Sequence, residues 1–115
     1  MIIDATQIDY VPELEELMQN ADQAASLLKA MSNKNRLMIM CSLFNDELSV
    51  GELNKRIPLS QSALSQHLAS LRQAGMVSTR RKSQTIFYKI SSDAAATIIL
   101  ALKSHYCQSQ PSGNS

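Results

Sequence analysis

The spacing of apolar residues along this 115-residue chain changes at Gly75 and changes back after Ser91-Ser92. Before it, apolar residues recur every three to four positions, which puts them on one face of a helix; after it they alternate, which puts them on one face of a strand. The chain is therefore expected to fold as packed helices, then a hairpin, then a closing helix. Only three glycines and three prolines interrupt it, and 44% of it is hydrophobic, enough for the core of one domain.

From Pro12 onward, Leu14, Leu17, Met18, Ala21, Ala24, Ala25, Leu28 and Met31 predict one helix, with Glu13, Glu15 and Glu16 near its positive end. Ser32-Asn33 interrupts the pattern and is placed to cap a second helix over residues 33–44, apolar nearly all round and so expected to run through the core. Ser49 and Glu52 match a capping box for a short helix that Ile57-Pro58 closes. Ser60 caps the next helix, whose apolar stripe is Leu64, Leu68 and Leu71 and whose end is Gly75. Residues 49–74 thus read as helix, turn, helix. Met76–Thr79 and Thr85–Ile90 read as strands, joined by the basic tip Arg80, Arg81, Lys82, Ser83 and Gln84. The last helix follows Ser91-Ser92, and its broad apolar surface predicts contact with a second subunit. The expected fold is mainly α with a β-hairpin: a winged helix-turn-helix of five helices and a two-stranded wing. A flexible arm over residues 1–10 precedes the domain of 11–107, and a disordered tail spans 108–115.

Net charge is only +1, but it is unevenly placed. Residues 1–52 hold nine acids against three bases. Residues 53–92 hold no acid and seven bases, among them Lys55, Arg80, Arg81 and Lys82. An acid-free stretch at +7 across a helix-turn-helix and a hairpin is the footprint of a polyanion-binding surface. Opposite its leucine stripe the second helix of the motif offers Gln61, Ser62, Ser65 and Gln66, polar groups able to reach base edges in a major groove. Ser60 and its neighbours at the helix N-terminus suit a phosphate, and Arg80, Arg81, Lys82 and Gln84 suit the DNA backbone or a narrow minor groove. Taken singly, a Ser/Gln face is ordinarily just solvated and an Arg-Arg-Lys turn is ordinarily a charged loop. Their coincidence in the one acid-free stretch points to double-stranded DNA. His67 has two readings, a DNA contact beside Gln66 or a satisfied, half-buried side chain.

No apolar run has the length of a membrane span, and Met1–Tyr10 lacks the basic start of a secretory signal, so a cytoplasmic protein without membrane association is expected. Two cysteines, 66 positions apart, make no disulfide scaffold. A lone Cys on an apolar helix is ordinarily a small core residue.

Over about residues 20–107 the chain resembles the ArsR/SmtB family of bacterial dimeric winged-helix repressors. The resemblance rests on Leu27-Leu28-Lys29-Ala30-Met31-Ser32-Asn33 leading to Arg36-Leu37, on the block Leu59 to Leu68, and on Leu71-Arg72-Gln73-Ala74-Gly75-Met76-Val77. It implies DNA contacts by the helix from Ser60 and by the hairpin, an inverted-repeat operator, a homodimer built from the first and last helices, and a ligand that weakens operator binding. The family's metal positions are poorly matched. Where metalloid sensors carry Cys-Val-Cys this chain has Ser49-Val50-Gly51, and where the other site needs an Asp-x-His pair and a closing ligand it has Asp93, Ala95, His105 and Gln108. Two possible ligands do not make a tetrahedral site, and no metal or cofactor is expected. The resemblance narrows to the HlyU/BigR/SqrR-type dithiol subgroup, which implies that Cys41 and Cys107 are joined by a disulfide or polysulfide bridge under reactive sulfur or oxidant, and that DNA is then released. Three alternatives stay open: a metal-responsive regulator using Cys41, His105 and Cys107; an antagonist of another DNA-bound regulator; and a thiol or persulfide-transfer enzyme. The last lacks the usual Cys-x-x-Cys on an α/β scaffold, and a non-enzyme is expected.

Overall fold

The structure is a computed structural model that describes residues 12–107; the expected arm and tail lie outside the described residues. The first helical stripe is carried by two helices, α1 (Pro12–Gln19) and α2 (Ala21–Met31). Asn20 separates them. Its backbone N–H donates to the Leu17 carbonyl at 3.0 Å and its side-chain Nδ2 to the Glu16 carbonyl at 3.0 Å, so the amide competes with the helix's own ladder. Apolar spacing runs unbroken through this kink, which is why the sequence reads as one helix.

The remaining helices begin at the residues their caps predict. Asn33 Oδ1 accepts from the N–H groups of Asn35 and Arg36 to start α3 (Lys34–Leu43). Ser49 and Glu52 exchange both capping-box bonds at the start of α4 (Val50–Arg56). Ser60 Oγ accepts from Ala63 N–H before α5 (Gln61–Gln73), and Ser92 Oγ from Ala95 N–H before α6 (Asp93–Tyr106). Each such cap is worth about 1 kcal/mol and fixes where the chain turns. Between α4 and α5, Asn54 Nδ2 donates to the Leu59 carbonyl at 2.7 Å and staples the turn.

The described residues thus form six helices where five were expected, and three strands where two were expected. The added strand is β1 (Leu48–Ser49), which pairs antiparallel with β3 (Thr85–Ile90) at Tyr88 and Phe87. Two residues leave no period to read, and the partner lies some forty positions away. The hairpin is also longer than its sequence reading: β2 (Val77–Lys82) carries Arg80, Arg81 and Lys82 within the strand, and the tip shrinks to Ser83-Gln84, with Ser83 at φ 60°. Strand alternation then sets Arg80 and Lys82 on one face of the wing and Arg81 on the other.

The core lies where α3, α4, α5 and α6 meet the base of the sheet. Ile39, Leu53, Leu64, Leu68, Leu71 and Ile99 are fully buried in it. In contrast, no residue of α1 is buried, and Leu14, Leu17 and Met18 are exposed on it, as are Leu100 and Tyr106 on α6. No helix among the described residues is long and apolar enough to cross a membrane.

The end of α5 is a Schellman turn. Met76 N–H donates to the Leu71 carbonyl and Gly75 N–H to that of Arg72, while Leu71 and Met76 are both buried. Gly75 sits at φ +78°, and a Cβ added there meets no atom within 4 Å, so a side chain is opposed by the backbone alone. Gly75→Ala is expected to lower unfolding stability by about 1–2 kcal/mol without changing the urea m value, as read from equilibrium denaturation.

Candidate nucleic-acid interface

The leucine stripe decides what α5 shows to solvent. With Leu64, Leu68 and Leu71 at 0% exposure against the core, Gln61, Ser62, Ser65 and Gln66 are all exposed on the opposite side. Ser60, also exposed, spends its hydroxyl on the cap at the helix N-terminus. The polar groups read from the sequence therefore share one open helix face, next to backbone N–H groups that the helix itself leaves free.

His67 is half-buried. Its Nδ1 accepts from Arg36 Nε at 3.3 Å. Arg36 Nη1 also donates to the Ala30 carbonyl at 3.3 Å, in the last turn of α2, where a cation suits the helix dipole. One side chain of α3 thus ties the end of α2 to the exposed helix, next to Gln66. Sequence reasoning missed this clamp, because nothing in the spacing of Ala30, Arg36 and His67 brings them together.

The wing places Arg80, Arg81, Lys82 and Gln84 in the open. Arg80 is engaged in a second contact that the sequence did not reveal. Its Nε and Nη2 donate to Glu47 Oε2 and Oε1, both at 2.9 Å, and its guanidinium lies over the Phe87 ring, 5.3 Å from the centroid. The hydrogen bond from Arg80, with its positive charge and that of Lys89, holds the Glu47 carboxyl below its ordinary pKa. The pair's stabilising effect is therefore present above the ordinary glutamate range and fades as pH falls through the lowered value. Lys55, at the end of α4, is exposed as well.

The two cysteines belong to a different face. Cys41 is half-buried late in α3, and Cys107 is exposed where α6 ends. Phe44, one helical turn after Cys41, carries the Lys103 ammonium over its ring at 4.7 Å from the centroid. Lys103 in turn accepts, through its carbonyl, from the N–H of Cys107 at 2.9 Å. Both Lys103 and Cys107 lie close enough to act electrostatically on Cys41. Burial pushes the Cys41 thiol up, Lys103 pulls it down by less, and Cys107 adds to the rise, so the net direction is upward. Cys41 at neutral pH is a thiol rather than an activated thiolate, and Cys107 is the open one. No group of three or more His, Cys, Asp or Glu residues able to hold a metal occurs among the described residues. Iodoacetamide is accordingly expected to label Cys107 well before Cys41 in the reduced protein, and Lys103→Ala is expected to slow Cys41 further by removing the cation that favours its thiolate. Peptide mass spectrometry over a time course, at two pH values, checks both.

Comparison with known proteins agrees with this geometry. Residues 33–79 match the family model described as bacterial regulatory protein, arsR family. The chain is 54% identical over 95 residues to the transcriptional activator HlyU of Vibrio cholerae serotype O1, covering 83% of this chain and 88% of that protein. It is 42% identical over 93 residues to the biofilm growth-associated repressor of Xylella fastidiosa, covering 81% and 82% of the two chains. Among solved structures, reduced HlyU from Vibrio cholerae superposes with a TM-score of 0.76 at 53% identity, over 81% of this chain and 98% of that one. The helix-turn-helix with its hairpin, and relatives that are themselves transcriptional regulators, lead to one assignment: the chain belongs to the ArsR family of bacterial regulatory proteins and is a DNA-binding transcriptional regulator with a winged-helix fold.

Proposed function

We propose that the protein is a homodimeric repressor that reads an inverted-repeat operator and lets go of it when Cys41 and Cys107 become linked. The reading face is Ser60, Gln61, Ser62, Ser65 and Gln66 on α5, with His67 held at its edge by Arg36; Arg80, Arg81, Lys82 and Gln84 on the wing and Lys55 attract the backbone. Dimerisation through α1 and α6 is supported by the apolar side chains those helices leave exposed, Leu14, Leu17, Met18 and Leu100 among them. Such a stripe on a helix with no buried residue is stable only when covered. A two-fold dimer then presents two α5 helices to two half-sites.

What supports the switch is that α3, which carries Cys41, packs on α6, which ends at Cys107, with Lys103 of α6 lying over Phe44 at the end of α3. The exposed Cys107 attacks first. With an organic tetrasulfide, its thiolate takes an internal sulfur and expels one thiol; Cys41 then attacks the bound chain and expels a second, leaving a bridge with two inserted sulfurs. With peroxide, the two thiols give a disulfide and two waters. A direct disulfide needs Cα atoms about 4.4–6.8 Å apart, and each inserted sulfur adds up to about 2 Å of reach. Either bridge draws the end of α6 toward α3. Because α3 packs on α5 and carries Arg36, strain there reaches the reading helix. That one relative's structure is described as reduced HlyU is in keeping with a redox-dependent state.

The name of that relative, a transcriptional activator, favours a second reading in which this protein raises expression by displacing another DNA-bound regulator. A reporter driven by the operator alone separates the two: repression by the reduced protein supports the first, and no effect without the second regulator supports the other.

Intact and peptide mass spectrometry after treatment with an organic tetrasulfide or with peroxide, beside a DNA-binding assay, tests the switch. A Cys41–Cys107 linkage with lost DNA affinity is expected, and Cys41→Ser and Cys107→Ser are each expected to keep DNA binding under both reagents. Unaltered affinity with no linkage removes the proposal. For base readout, Gln66→Ala is expected to cost about 1–3 kcal/mol of discrimination at one base position per half-site, measured by competition with single-base operator variants.

A further inference from the structure

The acid-free stretch acquires an acid in three dimensions. β1 adds Leu48–Ser49 to the edge of β3, opposite Tyr88 and Phe87, and so delivers Glu47, the residue before it, to Arg80 on β2. The carboxylate takes two parallel hydrogen bonds from one guanidinium edge, the same arrangement that a guanidinium makes with two oxygens of a phosphate. Phe87, directly across the ladder from Arg80, lies under the guanidinium and keeps it at the base of the wing. The pair is not sealed in: the side chain of Arg80 is 52% exposed and that of Glu47 30%, so a phosphate can approach the guanidinium from solvent without the wing unfolding. Among the described residues, Arg81 and Lys82 have no ion-pair partner at all.

We propose that Glu47 is an internal competitor for the DNA phosphate: it holds Arg80 in the free protein and gives it up to a backbone phosphate in the complex. The inference rests on the wing facing DNA, as proposed above, and adds a positioning residue that the charge pattern of the sequence hides. An exposed ion pair is weak enough to be exchanged, where a buried one would stay shut. Arg80 then contributes less net affinity than a free arginine at the same place, because every phosphate contact it makes displaces one already made. Among the described residues, the free protein shows DNA three wing cations without an ion-pair partner, Arg81, Lys82 and Lys89, instead of four, which lowers its affinity for arbitrary sequence.

The test uses the full, reduced chain and four proteins: wild type, Glu47→Gln, Arg80→Ala and the double variant. Glu47→Gln keeps an acceptor oxygen for Arg80 and removes only the charge. Binding to a fluorescent mixed-sequence duplex of about 30 base pairs is measured over a salt series, with thermal melts alongside. Arg80→Ala is expected to weaken binding and to flatten the slope of log K against log salt by about 0.9 for each wing, about 1.8 for the dimer. Glu47→Gln is expected to strengthen binding about two- to fivefold at low salt, and this gain is expected to vanish in the Arg80→Ala background. Equal gains in both backgrounds would mean that Glu47 merely repels DNA, and the exchange is then overturned. Weaker binding by Glu47→Gln together with a lowered melting temperature would make the carboxylate a brace for the wing and likewise overturn it. If Arg80→Ala changes neither affinity nor slope, what fails is the assignment of the wing to DNA, a result distinct from a failed exchange.

Discussion

Burial of Leu64, Leu68 and Leu71 is the constraint on which the rest of the molecule hangs. Each is removed entirely from solvent, worth about 1.5–3 kcal/mol apiece before the entropy of ordering is counted. Their spacing orients α5 about its own axis, and that rotation alone decides that Gln61, Ser62, Ser65 and Gln66 face outward. The Schellman turn at Gly75 then stops the helix and sends Met76 into the same core, so the wing starts from a fixed point beside the helix it serves. The exposed face of α5 and the adjoining hairpin are positioned relative to each other by these two joints.

Around this core the charges are arranged by two different rules. Along the chain, acids are kept out of residues 53–92. Across the sheet, the short strand β1 brings Glu47 back onto the wing, and Arg36, from the acid-rich half, reaches the flank of α5 through His67. Linear segregation therefore overstates how basic the wing is and understates how firmly the exposed helix is tied to its neighbours. Both contacts act on the same surface: one pairs a wing cation with a carboxylate, the other ties α5 to α3 and the end of α2.

The thiols sit away from that surface but not independent of it. Cys41 shares α3 with Arg36, and Cys107 ends the helix on which Leu100 and Tyr106 remain uncovered in the single chain. The raised pKa of Cys41 fits a resolving thiol better than an attacking one, since a buried thiol reacts when a partner is delivered to it. α3 packs on both α6 and α5 and so directly links this end of the molecule to the exposed helix.

The sequence by itself determined the elements whose causes are local: the caps at Asn33, Ser49, Ser60 and Ser92, the leucine stripe, the turn at Gly75, and the polar face that the stripe leaves open. It also determined the winged-helix class, because a change of apolar period admits few architectures. It misread Asn20 as helical, since an amide that bonds back to Glu16 leaves the apolar period intact. It drew the hairpin tip too wide, since a run of basic residues looks like a loop until its strand partners are known. What only the tertiary structure decided were pairings between residues far apart in the chain: β1 with β3, Glu47 with Arg80, Arg36 with His67, and Lys103 over Phe44. A cap or a stripe is fixed by neighbours a few residues away, whereas a contact closed over a long loop leaves no period in the sequence and exists only once the core has brought its ends together.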